Sequence, residues 1–310
     1  MVSIIIVNYN GKIHLQKCID SILNNNYKNY EIIVVDNNSN DESVDFIKKF
    51  SYIRLIQLDK NYGYAKPNNM GAKIANGDYL FFLNNDTTIY RNTIEELLKA
   101  FQTPKIGMCQ SLLLHPDQSI DSSGDYVDFS GIPFSSKKPP LEIKKILSAR
   151  GAGMMVKKNI FWELLGFDEK FFASFEDVDI GWRSWLWGYD VLLAPKSIVL
   201  HEGGVTIKKL PNEIKFHGVK NFLIINLVYF ERPMIFTFIC LLNSFLKAKF
   251  QNSKTNANKK WIIPPFYISL KGFFWILRNI GYIKNKKKLI NSKRKLSTSD
   301  LIKMDLIKEN

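Results

Sequence analysis

The chain has 310 residues, 46% apolar and 23% charged, an ordinary globular composition that excludes disordered, collagenous and disulfide-scaffold classes. Its 43 Lys and Arg against 29 Asp and Glu give a net charge of +14, which would suggest a nucleic-acid or membrane partner if it were spread evenly. It is not: residues 1–200 carry 22 basic and 23 acidic side chains, residues 201–310 carry 21 and 6, and the whole excess sits in the last third.

Residues 2–8, 31–36, 52–58 and 78–83 are short β-branched or aromatic runs, each closed by polar turn residues. Segments with helical spacing lie between them, over 12–25, 41–50 and 64–76. The alternation predicts an α/β fold, a mostly parallel central sheet with helices on both faces, whose ligands bind beyond the strand C-terminal ends. The run Val2 to Val7 has no basic flank or cleavage site and reads as a first buried strand rather than a secretory signal. Cys18, Cys109 and Cys240 include no close pair for a zinc or redox motif, in keeping with a reduced, cytosolic setting.

The strand ends are polar: Asn8-Tyr9-Asn10-Gly11, Asp36-Asn37-Asn38-Ser39 and Asn84-Asn85-Asp86. Such residues make turns and cap helices, a role open to Ser39, Asp41 and Thr87, but three clusters at one edge favour a polar ligand. A dinucleotide fingerprint and a Walker loop are both missing. Carboxylate and amide oxygens at Asp36, Asn84 and Asp86 suit Mg²⁺ or Mn²⁺ held largely through substrate phosphates, so the ligand class is a nucleoside diphosphate.

Over roughly residues 1–205 the sequence resembles family 2 glycosyltransferases, which have the GT-A nucleotide-diphospho-sugar transferase fold, and most closely their rhamnosyltransferase-like subgroup. Five motifs carry the resemblance in order: Val7 to Asn10, Val35 to Ser39, Asn61 to Ala65 leading to Asn69-Met70-Gly71, Leu83 to Thr87, and Gly166 to Glu169 running into Phe175 to Asp179. The resemblance implies donor contacts from Asn8, Tyr9, Asn10, Asp36, Asn38, Asn61, Gly63, Asn69, Asn84 and Asn85, and metal ligation by Asp86 and His201. Asn84 stands where the family's metal motif has its first Asp, so metal affinity would lean on the diphosphate; Asn84 equally suits a structural bond at the strand end. The small segment Gly151-Ala152-Gly153, with Trp182 and Arg183, falls on the acceptor side, although close backbone packing explains the small residues too.

A helix over 176–187 puts Glu176, Asp179 and Arg183 on one face, where they can pair as a structural ladder, and turns Asp177 about 100° away. The resemblance makes Asp177 the general base toward the acceptor hydroxyl, with Glu176 beside it raising its proton affinity. It implies an inverting transfer from a nucleotide-diphosphate sugar to a glycan or polyprenyl-linked acceptor. The competing readings are a non-catalytic nucleotide-sugar-binding subunit and a basic-tailed nucleic-acid-binding protein. No nucleic-acid motif appears, and no nucleic-acid partner is expected.

Residues 206–310 read as a helical, membrane-associating extension of the 1–205 catalytic domain. The apolar stretches 222–246 and 261–283 are interrupted by Glu231-Arg232-Pro233 and by Pro264-Pro265, Lys271 and Arg278, which argues against a spanning helix. On one helix from Phe266 to Tyr282, the residues Lys271, Trp275, Arg278 and Tyr282 form a stripe at headgroup level, while Leu270, Phe273, Phe274, Leu277 and Ile280 cover the rest. Lys284, Lys286, Lys287, Lys288, Lys293, Arg294 and Lys295 then suit anionic lipid, placing the protein in the cytoplasm, peripheral on the inner face of the cell membrane. Packing of the stripes on the catalytic domain, with solvated lysines, is the alternative.

Overall fold

The computed structural model describes residues 1–129, 131–203, 212–230 and 266–308. The boundary at 205/206, residues 231–246 with Cys240, and Pro264-Pro265 lie outside the described residues.

The first quarter alternates as its periodicity dictates: β1 (Val2–Asn8), α1 (Lys12–Leu23), β2 (Tyr30–Asp36), α2 (Ser43–Ile47), β3 (Ile53–Gln57), α3 (Ala65–Ile74) and β4 (Tyr79–Asn84). These four strands are parallel, in the order β4-β1-β2-β3. Ile4, Ile6 and Val34 meet Leu15, Cys18, Ile19 and Ile22 of α1 on one face; Ile5, Ile33 and Val35 meet Ala65 and Ala72 of α3 on the other. Each such large side chain contributes roughly 1.5–3 kcal/mol when fully buried. At Gly71 a Cβ would lie 2.7 Å from the Ile5 Cγ2, so glycine there lets α3 approach the sheet.

Next come β5 (Thr87–Ile89), α4 (Thr93–Leu98), β6 (Ile106–Leu114), β7 (Ile120–Ser122), β8 (Asp125–Asp128), β9 (Pro133–Ser135), β10 (Lys144–Lys145), β11 (Gly153–Lys157), α5 (Lys158–Glu163), α6 (Glu176–Leu186) and β12 (Asp190–His201). The sheet extends as β10-β12-β6-β11-β4, and β11 runs antiparallel between β4 and β6. The parallel pattern of the first four strands therefore ends at β4. Register places Asn8 beside Asp36, Val7 beside Asn84 and His201 beside Thr87, so the polar strand ends share one edge. Thr87 starts a strand and caps no helix; Asp41 instead accepts the backbone N–H of Lys12, the first residue of α1 (2.9 Å).

The described tail comprises α7 (Asn212–Tyr229), α8 (Phe266–Arg278), α9 (Ile280–Ser292), α10 (Thr298–Lys303) and β13 (Ile307–Lys308). It shares the main core: Leu223, Val228, Ile276, Ile283, Ile290 and Leu301 belong to the same cluster as Trp182, Trp185 and Phe167. Its last strand pairs with β8. The single helix expected over 266–282 breaks at Asn279, whose side chain donates back to the Trp275 carbonyl (2.8 Å). Trp275 and Tyr282 do not stand at headgroup level, because both pack inward: the Lys220 ammonium sits 5.0 Å from the Trp275 ring centroid, and the Tyr282 hydroxyl donates to Asp168 (2.5 Å). Leu270, Phe273, Phe274, Leu277 and Ile280 face out, between 42% and 52% exposed.

The polybasic run divides in the same way. Lys286 ion-pairs with Asp168 and with Asp179 (2.8 Å), and Lys287 donates to the Leu227 and Phe230 carbonyls at the C-terminal end of α7, where a cation is favoured. Lys293 lies 4.6 Å from the Trp187 ring centroid, while Lys284 and Lys288 are exposed. Among the described residues no helix is long and apolar enough to cross a membrane. Removing one partner from a buried ion pair costs about 3–5 kcal/mol, so Lys286→Met should lower the urea midpoint sharply and Lys284→Met should leave it unchanged. Equal effects of the two substitutions would show that Lys286 does not hold the tail.

Candidate active site

The site is built on the C-terminal ends of β1, β2 and β4. Asn8 is buried, donates to Asp36 (3.1 Å) and Ser39 (3.1 Å), and accepts from Asn85 (2.8 Å). Asp36 also accepts the Ser39 N–H (2.9 Å). Asn10 has φ 50° and exchanges bonds with the 39–40 turn, while Tyr9 is 46% exposed beside it. Asn38, with φ 68°, is exposed at the edge. Its neighbour Asn37, to which the sequence assigned no role of its own, donates to Asn61 and to the Gly63 carbonyl (2.8 Å each) and accepts the Tyr62 N–H (2.8 Å), locking the 61–64 loop against β2. Gly63 has φ 79°, and a Cβ there would lie 1.9 Å from the Phe172 carbonyl oxygen, so only glycine fits. Tyr64 donates to the Gly151 carbonyl (2.9 Å), bringing the small segment Gly151-Ala152-Gly153 to the same edge.

A chain of alternating charge crosses the site. Asp86 lies 3.4 Å from His201 Nε2, His201 Nδ1 lies 2.8 Å from Asp121, Asp121 lies 3.3 Å from Arg150, and Arg150 pairs with Asp125 at 2.7 Å. Asn84 also approaches His201 Nε2 (3.4 Å), and His115 flanks Asp121 at 3.7 Å. Burial works against the His201 charge, but Asp121 and Asp86 outweigh it and raise the imidazole to about 9. Asp121 is held well below the usual carboxylate range by His201 and Arg150 despite its burial. Asp121, Arg150 and Asp125 were absent from the sequence reading; the sole local signals are the Asp-Ser-Ser-Gly-Asp spacing of 121–125 and an arginine directly before Gly151.

Asp86 and His201 fit a divalent cation. Neighbouring donors of an octahedral ion with bonds near 2.1 Å stand about 3 Å apart, close to the observed Asp86–His201 separation of 3.4 Å. Asp121 on Nδ1 fixes the tautomer that aims Nε2 at that gap, the usual outer-shell arrangement of a ligating histidine. Among the described residues no three His, Cys, Asp or Glu side chains form a complete cage, so an ion there needs oxygens from its substrate or from water.

The acidic pair opens α6. Phe175, immediately before the helix, has φ 70°, as Ser174 has φ 69°, and this left-handed turn sets Glu176 and Asp177 in the first helical turn. Glu176 is buried with Oε2 lacking a partner, and burial plus the neighbouring Asp177 charge push its carboxyl well above the ordinary range. Asp177 is partly exposed; desolvation and the Asp125 charge raise it to about 6, against Arg150 and the N–H groups of Val178 and Gly151. Burial thus favours the neutral form more strongly at Glu176 than at Asp177.

Three residues expected at the site lie elsewhere. The Asn69 amide is spent on the Phe167 backbone, donating to its carbonyl (2.8 Å) and accepting its N–H (2.9 Å), and it also bonds Glu169. Trp182 has no solvent contact and stacks on Tyr229 with ring centroids 5.1 Å apart. Arg183 is buried against Asp179 (2.6 Å) and the Leu164 and Gly166 carbonyls. Neither Trp182 nor Arg183 has a surface with which to meet an acceptor. Of the proposed ladder, Asp179 and Arg183 pair and Glu176 does not.

A parallel β4-β1-β2-β3 half-sheet continued through an antiparallel strand, with Asp and His converging at its polar edge, is the α/β architecture of the GT-A class. The crystal structure of GalNAc-T7 with UDP, GalNAc and Mn²⁺ superimposes on 91% of this chain and 56% of its own, with a TM-score of 0.64 and 17% identity. The sequence model of Glycosyl transferase family 2 matches residues 3–165, and the chain belongs to that family. Among relatives, the O-antigen biosynthesis protein RfbC of Myxococcus xanthus is 30% identical over 204 residues, covering 60% of this chain and 16% of its own. The UDP-Glc:alpha-D-GlcNAc-diphosphoundecaprenol beta-1,3-glucosyltransferase WfaP of Escherichia coli is 37% identical over 108 residues, 34% of this chain and 43% of its own. The chain thus spans less than half the length of either relative.

Because Asp177 titrates near 6 when folded and near 3.8 when free, its ionisation lowers stability from about pH 4 upward and reaches full cost above about pH 6. Asp177→Asn should therefore melt at a higher temperature than wild type at pH 7.5, with the gap closing by pH 4. Calorimetry showing equal melting temperatures at pH 7.5 would contradict the raised value.

Proposed function

We propose that this chain is an inverting glycosyltransferase that moves a sugar from a nucleotide-diphosphate donor to a hydroxyl of a glycan or lipid-linked glycan. The observation that carries the reading is Asp177, partly exposed, raised to about 6, and in the electrostatic field of Arg150, which pairs with Asp121 of the Asp121–His201–Asp86 chain. Asp177 takes the acceptor proton as the hydroxyl oxygen bonds to the anomeric carbon and the bond to the diphosphate breaks on the opposite face. Tyr64, Gly63 and Gly151 bring backbone close to the reacting sugar, and the Asn8–Asp36–Asn85 network fixes the donor edge. Mg²⁺ or Mn²⁺, with Asp86 and His201 among its ligands, supplies positive charge to the leaving diphosphate when bound. GalNAc-T7, crystallised with UDP and Mn²⁺, supports a nucleotide donor and a divalent ion, and the diphosphoundecaprenol named for WfaP supports a lipid-linked acceptor.

A panel of nucleotide sugars scored for nucleoside diphosphate release, with and without Mn²⁺, tests this reading. With the responsive donor, Asp177→Asn should keep nucleotide binding and lose about 10²–10⁴-fold in turnover. Wild-type turnover should fall as pH drops through about 6, because the base is then protonated. Asp86→Ala should remove the response to Mn²⁺. Substantial turnover by Asp177→Asn would sink the assignment.

The outward face of α8 supports a peripheral position on the inner, anionic leaflet. Leu270, Phe273, Phe274, Leu277 and Ile280 form its exposed apolar side, and exposed Lys284 and Lys288 follow on α9. Co-flotation with phosphatidylserine vesicles should be lost on replacing Phe273, Phe274 and Leu277 by Ser while the melting temperature holds. Flotation undiminished by the triple replacement would rule out this face.

A further inference from the structure

The loop from Gly166 to Phe175 leads into the acidic pair and is held at several points by the tail. Asp168 takes Lys286 and Tyr282, and the Lys170 carbonyl takes the Lys220 ammonium (2.5 Å). Phe172 accepts the Tyr64 N–H (2.6 Å), so the same loop touches the donor edge. Nearest to the acids, the Asn221 amide nitrogen donates to two successive carbonyls, Ala173 (2.9 Å) and Ser174 (2.7 Å). Those carbonyls flank the turn in which Ser174 and Phe175 are left-handed, a conformation that side-chain-bearing residues keep only where the surroundings over-determine it. Among the described residues Phe175 makes no side-chain cap for α6, so the turn sets the direction in which Glu176 and Asp177 leave, and the Asp177 carboxylate then accepts the Val178 N–H (2.8 Å).

We propose that Asn221 is the positioning residue for the base: its amide holds the left-handed 174–175 turn and so aims Asp177. The inference rests on the reading of Asp177 as general base. The chemistry of the side chain fits the task. Asn221 has no solvent contact, and among the described residues its Oδ1 has no hydrogen-bond partner, so the bonds to the two carbonyls set how the amide lies. One nitrogen with two hydrogens serves both carbonyls without adding charge. Aspartate would set a carboxylate against two carbonyl oxygens, and alanine would leave both without this donor. A buried amide kept at the cost of one unpaired oxygen is placed for its two donors. The tail is then part of the catalytic unit, since α7 carries the group that fixes the base.

The test compares Asn221→Ala with Asn226→Ala, a second buried amide on α7 whose donor goes to Phe222 within its own helix. Hydrogen–deuterium exchange, which needs no substrate, should speed up over residues 172–178 in Asn221→Ala and stay at the wild-type rate there in Asn226→Ala. With the donor identified by the nucleotide-sugar panel, Asn221→Ala should lose on the order of 10- to 100-fold in kcat at nearly constant donor KM. The acid limb of its pH profile should also move, a change that general loss of stability does not produce. Unchanged exchange over 172–178, or faster exchange with kcat and the acid limb unaltered, overturns the proposal. A wild-type protein silent toward every donor counts against glycosyl transfer itself, and the exchange pattern keeps that failure separate.

Discussion

Asp179 is the carboxylate on which the described parts of this molecule converge. It has no solvent contact, and its two oxygens take Arg183 (2.6 Å), Lys286 (2.8 Å) and the Tyr229 hydroxyl (2.7 Å). Lys286 also serves Asp168, so buried Arg183 and half-buried Lys286 face buried Asp179 and half-buried Asp168. Arg183 spends its remaining donors on the carbonyls of Leu164 and Gly166. Desolvating these charges is tolerable only because each has several partners in fixed geometry. The result ties α6, the 164–168 loop, α7 and α9 into one unit around the acidic pair.

That convergence explains why Glu176, Asp177 and Asp179, three acids within four positions, behave differently. Asp179 faces these two cations and stays fully paired. Glu176 is buried, and among the described residues its Oε2 has no partner. Asp177, one residue on, feels the charges of Arg150 and Asp125 at the open side. Helix geometry separates the three directions, and burial and neighbouring charge then raise the proton affinities of Glu176 and Asp177. Arg150 is shared between Asp125 and Asp121, so one guanidinium lies between the Asp177 side and the His201 side of the site.

The first half-sheet was legible because its strands are short β-branched runs and its helices keep a strict apolar spacing; observed and expected limits of the four strands agree within a residue or so. The antiparallel insertion of β11 was not, because Gly153-Met154-Met155-Val156-Lys157 reads as a buried strand of either direction. Asn37 and Asn38 show the same limit within one motif: identical side chains in sequence, one buried as a lock and one exposed in a left-handed turn. Lys284 and Lys286 repeat it in the tail, where a charge count treats them alike and the helix turns one to solvent and the other to Asp168. Asp121 and Arg150 reach the site through non-local pairing, about which spacing along the chain is silent. Asn69 sits in a recognisable motif, yet its amide belongs to the backbone of a loop roughly a hundred residues further on.

The shared core of α6 and the tail also bears on synthesis. At about 5–20 residues per second, the hundred or so residues that follow α6 take roughly 5–20 s to be made. Early in that interval Asp179 has Arg183 but neither Tyr229 nor Lys286, and Trp182 has no Tyr229 to cover it; Lys286 is missing until its end. A nascent chain ending near residue 200 therefore presents a half-paired carboxylate and a bare indole, features that chaperones meet on the ribosome. Final closure of this half awaits α7 and α9, so it becomes native in concert with residues made well after it.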